Sequence, residues 1–143
     1  MAYNGDFISS ITDPLGRTVS YAHDGDGNLL AVTDGNGGVY QFQYSGRLLT
    51  QVTNPAGVLQ ARNVYDGDGR VVDQQDAAGN HTLFDFSAAG QTTVTDREGN
   101  AVVYHFDDLT RITKVVDAMG EDNNSVYDAD YNVVEFNERI GNT

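Results

Sequence analysis

The chain has 143 residues, with 39% hydrophobic residues, 16 glycines, two prolines and no cysteine. This length suits one domain, and the lack of cysteine excludes disulfides, a thiol nucleophile and cysteine-bound metal. A net charge of −13 argues against nucleic acid and anionic membranes as partners, because polyanions are bound through basic side chains. Neither an N-terminal signal-like segment nor an apolar run of transmembrane length is present, so we expect no export signal in this chain and no membrane insertion.

A short turn motif, Asp/Asn-x-x-Gly, recurs along the chain. It first appears at Asp13, and its glycines are spaced by 20 to 22 residues. They are Gly16, Gly37, Gly57, Gly79, Gly99 and Gly120, with a weaker copy at Gly141. A fixed period of this size indicates one small unit stacked many times. We therefore expect a single domain over residues 1–143, made of about six repeats with the last one incomplete.

A second turn lies about halfway through each repeat. In the first repeat it runs from Asp24 to Gly27. Later copies depart from this form, since Thr110 and Tyr131 replace the glycine and one turn is shortened to Ser45-Gly46. A residue with a Cβ does not readily take the positive φ that glycine supplies. The sequence therefore predicts other turn geometries at these three places.

The segments between turns have the composition and the periodicity of β-strands. They are rich in Val, Tyr, Phe and Thr, and their apolar residues alternate, as in Val19, Tyr21 and His23. No window of the chain sustains a helical period. The prediction is an all-β fold, a repetitive antiparallel hairpin meander of about 12 to 13 strands that forms a curved or spiralling sheet.

Aromatic residues repeat in two slots of every second strand. Because residues two apart on a strand share a face, these side chains should line one side of the sheet. The members of this aromatic ladder are Tyr21, Phe42, Tyr44, Tyr65, Phe84, Phe86, Tyr104, Phe106 and Tyr127. The ladder either packs to hold a single-layer sheet rigid or stacks on the faces of sugar rings. The presence of both Tyr and Phe suggests that some members hydrogen-bond through their hydroxyls.

An oxygen-rich segment invites comparison with a calcium loop. Asp24, Asp26 and Asn28 are spaced like ligands of a hard cation. The EF-hand pattern fails, however, because Leu29 stands where its glycine should be and Gly35 stands where its bidentate glutamate should be. A plain turn is the preferred interpretation, and the three residues stay a weak calcium candidate.

Catalytic signals are weak. The three histidines, His23, His81 and His105, lie in different strands or turns, and none has a partner pattern typical of a nucleophile dyad or a metal site. Paired carboxylates occur throughout the chain and so single out no position. We predict no enzymatic activity, no catalytic residue and no cofactor.

The two turn motifs together resemble the YD repeats, also called RHS repeats. The segments that show this best are Ile11-Thr12-Asp13-Pro14-Leu15-Gly16-Arg17-Thr18 and Tyr21-Ala22-His23-Asp24-Gly25-Asp26-Gly27-Asn28-Leu29. The resemblance runs from about Ile8 to the end, and its strength comes from six phased copies. No self-cleaving core motif and no toxin domain of the kind found in RHS toxins follows the repeats, which suggests a fragment of a longer array.

The resemblance implies a segment of a spiral β shell, as in bacterial RHS polymorphic toxins, insecticidal toxin complexes and teneurins. The implied function is structural: the shell encloses or displays another polypeptide, such as a toxin cargo. The implied partners are the rest of the array and this cargo. The implied location is secreted or cell-surface as part of a larger protein, with a bacterial source favoured.

The alternative is a cell-surface recognition module that binds a glycan or a protein through the ladder. A repeat sheet cut from an array also exposes strand edges, which favour edge-to-edge pairing. We expect these edges near residues 7–11 and 133–136, with a homo-oligomer as one outcome.

Overall fold

The computed structural model describes residues 1–138, and all regular structure in that range is β-strand. The strands are β1 Ala2–Asn4, β2 Phe7–Thr12, β3 Thr18–His23, β4 Leu29–Thr33, β5 Val39–Ser45, β6 Leu48–Thr53, β7 Leu59–Tyr65, β8 Val71–Asp76, β9 His81–Asp85, β10 Gln91–Thr95, β11 Ala101–Phe106, β12 Ile112–Val116, β13 Asp122–Tyr127 and β14 Val133–Glu138. They belong to one antiparallel sheet whose strand order is the chain order. The predicted all-β meander is confirmed.

The described region holds 14 strands, slightly more than the 12 or 13 expected. The additional strand β1 precedes the first full repeat, so the period could not reveal it. It pairs with β2 and places Asn4 opposite Phe7. Residues 7–11 are therefore not an edge of the sheet, contrary to the expectation. The weaker turn copy at Gly141 lies outside the described residues.

The chain divides into two compact units, Met1–Asn80 and a second unit that begins at His81. The first contains β1 to β8 and the second β9 to β14. The single domain over residues 1–143 stays a prediction. No helix in the described part of the chain could cross a membrane.

Five strand pairs contain a β-bulge at the same place in the repeat. In each, the register shifts by one residue near the end of the first strand, as where Gln43 pairs with Gln51 but Tyr44 pairs with Leu49 and skips Thr50. The extra residues are Leu30, Thr50, Val72, Thr113 and Val134. A bulge leaves its extra residue outside the ladder and increases the local twist. Period-two alternation alone did not predict these bulges.

Ten turns share one hydrogen-bond pattern, which explains the spacing of the motif. In each, the first residue donates its N–H to the carbonyl four residues on at 2.8–3.1 Å, and the N–H of the fourth residue returns to the first carbonyl. The first side chain accepts two further backbone N–H groups, as Asp13 Oδ1 does from Leu15 and Arg17. This Asx arrangement requires Asp or Asn first. The fourth residue takes positive φ, as at Gly16 with 83°.

Thr110 and Tyr131 adopt this same turn, at φ of 62° and 68°. The prediction of a different geometry was wrong at these two positions, because the hydrogen bonds of the turn fix the backbone in spite of the Cβ. The prediction was right for the shortened turn. Ser45 pairs with Leu48, and Gly46 at φ 60° begins a two-residue connection.

Candidate functional site: the aromatic ladder face

In the first unit each ladder residue of the strands faces a branched apolar side chain on the following strand. Tyr21 lies opposite Val32, and Phe42 lies opposite Val52. Tyr44 and Tyr65 likewise face Leu49 and Val71. All four aromatic side chains are half-buried. Such cross-strand pairs between aromatic and branched residues stabilise a sheet.

The second unit repeats the arrangement. Phe84 faces Val94, Tyr104 faces Val115, Phe106 faces Ile112, and Tyr127 faces Val133. Phe86 follows the end of β9, and it too is half-buried. Within each unit the ladder and its branched partners therefore form one apolar side of the sheet, which we call the ladder face.

The opposite face carries rows of polar side chains. In the first unit the register joins Gln43, Gln51, Arg62 and Gln75 across four strands. In the second unit a longer row runs through Gln91, His105, Lys114, Asn124 and Asn137. An antiparallel sheet with one apolar and one polar side is typical of a sheet that meets water on its polar side.

No residue of 1–137 is fully buried. The ladder is therefore not a closed core, and its apolar side chains keep part of their surface open to contact. In soluble proteins, large apolar patches that stay exposed are commonly interaction surfaces.

Two ladder tyrosines bind the backbone at bulges. The Tyr65 hydroxyl donates to the carbonyl of Leu49 at 2.6 Å, and the Tyr127 hydroxyl donates to the carbonyl of Ile112 at 2.8 Å. Leu49 and Ile112 flank the bulges at Thr50 and Thr113. Hydroxyls of the ladder thus satisfy backbone acceptors where the strand ladder is interrupted, as the mixture of Tyr and Phe suggested.

Polar residues interrupt the first ladder slot in the third repeat. Asn63 stands there, accepts a hydrogen bond from Gln74 at 3.0 Å and donates to the Leu49 carbonyl at 3.0 Å.

In the first repeat His23 fills the second slot, and Phe7 stacks on its ring at 4.9 Å between centroids. The sequence analysis did not predict this ring contact, because Phe7 lies before the first turn motif.

Seven of the Asx turns begin with a carboxylate whose pKa is lowered. In each of the following turns the largest cause is a hydrogen bond from the residue four positions on, from its side chain or its backbone N–H. These residues are Asp13, Asp24, Asp66, Asp76, Asp96, Asp107 and Asp128. The carboxylates are therefore charged acceptors that stabilise the turns.

The calcium candidate is one of these turns. Asp24 accepts the N–H groups of Asp26 and Asn28 at Oδ1, and the Asn28 side-chain amide at Oδ2. Asn28 also donates to the Gly46 carbonyl at 3.0 Å. Both carboxylate oxygens of Asp24 already serve the turn, and residues 1–138 hold no group of three or more His, Asp or Glu side chains arranged for a metal ion.

Arg111 joins two turns of the second unit. It pairs with the Asp107 carboxylate at 2.7 Å and donates to the Asp128 carbonyl at 3.2 Å. Its guanidinium lies 4.9 Å from the centroid of the Tyr127 ring and 5.3 Å from that of Tyr131, within the range of cation–π attraction. The sequence analysis missed this residue, although its signal was present: an Arg also stands four positions after Asp13 and Asp66.

The family model described as RHS Repeat matches residues 4–39 and 23–59. The chain contains RHS repeats. Double-stranded DNA deaminase toxin A of Burkholderia cenocepacia (strain H111) is 34% identical to this RHS-repeat chain over 93 residues, which cover 62% of the chain and 6% of the toxin.

Solved toxin-complex structures share the fold. A structure of the Photorhabdus luminescens Tc holotoxin pore with a TccC3 mutation aligns with a TM-score of 0.64 at 14% identity, over 84% of the RHS-repeat chain and 7% of its counterpart. The crystal structure of TcdB2-TccC3-TEV aligns with a TM-score of 0.63 at 15% identity, over 83% and 8%. The RHS-repeat chain thus spans less than a tenth of each of these three proteins.

Proposed function

We propose that this chain is a structural segment of a toxin-type β shell. Its repeats would form part of a curved or spiralling wall, with the ladder face toward another polypeptide and the polar face toward solvent. The observation that carries this proposal is the partial exposure of the ladder face: its aromatic side chains are only half-buried, and no residue of 1–137 is fully buried. A polypeptide enclosed by the wall would cover this apolar surface.

The similarities to toxins support a toxin context for this chain, but we do not propose the enzymatic activity of the relatives for it. The relatives include a deaminase toxin and a Tc holotoxin. Nucleobase deaminases of the zinc class bind their metal through cysteine as well as histidine, and this chain contains no cysteine. We therefore propose a module without enzymatic activity or cofactor.

The wall would act by steric enclosure. Cross-strand pairs such as Phe42 with Val52 stiffen the sheet, and the Asx turns fix the strand ends. The partners are the rest of a longer array and a toxin-type cargo. The location is secreted or cell-surface as part of a larger protein, and the source is bacterial.

A second candidate is recognition of a glycan through the same face. It rests on the hydroxyls of Tyr21, Tyr44 and Tyr104, which have no hydrogen-bond partner in the described part of the chain. A ring with a free hydroxyl can stack on a sugar and hydrogen-bond to it.

The test places a photo-crosslinking amino acid on one face or the other. Tyr104 and His105 are neighbours on β11 whose side chains point to opposite faces. Benzoylphenylalanine replaces Tyr104 in one variant and His105 in the control. The probe is reduced, carboxymethylated α-lactalbumin, which stays unfolded. We expect crosslinking from position 104 well above that from position 105.

Equal crosslinking from both faces, or none from position 104, contradicts enclosure through the ladder face. The glycan candidate is tested with cellohexaose and chitohexaose. If the ladder face binds sugars, these oligosaccharides should change the tyrosine fluorescence of the unmodified protein. Such a change without crosslinking to the unfolded polypeptide would replace the shell proposal by glycan recognition.

A further inference from the structure

The sequence contains two Asn-Gly pairs, Asn4-Gly5 and Asn36-Gly37. Asn4 ends β1 at a two-residue turn, Asn36 lies within an Asx turn, and all four residues are exposed. Both glycines have positive φ, 59° at Gly5 and 86° at Gly37, and no atom lies within 4 Å of the place where a Cβ would stand. By sequence and exposure the two pairs are equivalent.

An asparagine followed by glycine can modify itself. The glycine nitrogen loses its proton and attacks the asparagine Cγ, the bond from Cγ to Nδ2 breaks, and ammonia leaves with the proton. The product is a cyclic imide. Water then opens this ring at one of its two carbonyls, which gives either aspartate or isoaspartate. No oxidant, reductant or enzyme takes part.

Hydrogen bonding distinguishes the two attacking nitrogens. The Gly37 N–H donates to the Asp34 carbonyl at 3.0 Å, and the Asn36 N–H donates to Asp34 Oδ1 at 2.8 Å. Cyclisation at Asn36 therefore requires the turn to open. In the two-residue turn, neither the Gly5 N–H nor the Asn4 side chain has a partner among the described residues.

We propose that Asn4 is a site of spontaneous deamidation and that the Asx turn protects Asn36. Isoaspartate at position 4 would add one atom to the backbone of the turn. That addition shifts the pairing of Asn4 with Phe7, which closes the β1–β2 hairpin. Either product also places a new negative charge two residues from Asp6. Deamidation would therefore loosen β1 and uncover the backbone groups of β2.

The experiment is peptide mapping by mass spectrometry after incubation of the folded protein at mildly alkaline pH. We expect conversion at Asn4 to be about tenfold faster than at Asn36, since two hydrogen bonds must break at the second site. In denaturant, where both turns are open, the two rates should become similar. Gly5→Ala should slow conversion at Asn4, and Asp34→Ala should speed conversion at Asn36.

Conversion of Asn36 as fast as Asn4 in the folded protein would overturn the proposal. So would an unchanged Asn36 rate in the Asp34→Ala variant, provided that circular dichroism shows the variant to be folded. Hydrogen exchange checks the structural consequence: amides of residues 7–10 should lose protection in deamidated protein and keep it in fresh protein.

Discussion

Gly27 and Gly16 occupy the same position in two Asx turns, at φ of 85° and 83°, but their surroundings differ. A Cβ on Gly16 would meet no atom within 4 Å, whereas a Cβ on Gly27 would lie 2.6 Å from Cζ of Phe7. Both Gly→Ala variants carry the same backbone penalty, about 1–2 kcal/mol for a left-handed residue with a Cβ. Only Gly27→Ala must also displace the Phe7 ring.

The additional cost follows from what Phe7 would lose. Its ring stacks on His23 at 4.9 Å, and such a ring pair contributes about 0.5–1.5 kcal/mol. We therefore expect Gly27→Ala to lower the free energy of unfolding by about 1 kcal/mol more than Gly16→Ala. Urea unfolding followed by tyrosine fluorescence measures both, because the chain contains no tryptophan.

A double-mutant cycle isolates the contact. In the background of Phe7→Ala, Gly27→Ala should cost no more than Gly16→Ala does. Equal losses for the two glycine variants in the presence of Phe7 would refute the reasoning. An additional loss at Gly27 that persists without Phe7 would refute it as well.

Three further changes test the bulge, the strained turn and the carboxylates. Tyr65→Phe removes the hydrogen bond to a bulge carbonyl and should lower the free energy of unfolding by about 1 kcal/mol. The hydroxyl of Tyr44 has no partner among residues 1–138, so the control variant Tyr44→Phe should leave the urea midpoint unchanged. Thr110→Gly relieves the positive φ of 62° and should raise the melting temperature; a decrease would mean that the Thr110 hydroxyl bond to the Leu109 carbonyl matters more. Hydrogen bonds from Asn80 lower the pKa of Asp76, so its contribution to stability is present above the unfolded carboxyl pKa of about 3.9 and is lost as pH falls through the lower folded value. Asp76→Asn, which copies the natural turn at Asn54, should reduce the loss of stability in acid, and an unchanged acid transition would contradict this role.

The turns and strands were predictable because their signals are local. An Asp or Asn followed by Gly three positions later specifies the Asx turn directly, and alternation assigns the ladder residues to one face. The strand order followed from the short connections. These features need no knowledge of distant parts of the chain.

Other features depend on pairing, which one strand does not reveal. The bulge at Thr50 exists because Tyr44 pairs with Leu49 and not with Thr50, a register that alternation leaves open. The turns at Thr110 and Tyr131 were predicted wrongly because the conformational preference of one residue does not include the hydrogen bonds of its turn, which hold both residues at positive φ. Half-burial of the ladder was equally hidden, since a sequence pattern gives the side of a sheet and not what covers it.

The order of the strands bears on how the protein folds. In each unit every described pair joins strands that follow one another along the chain. Each pairing therefore closes only a short loop, with a small entropic cost. All-β proteins usually fold slowly because their contacts are distant in sequence, but here a hairpin can form as soon as its second strand has left the ribosome. Each new strand can then add to an existing edge, so the topology permits the sheet to grow in chain order during synthesis.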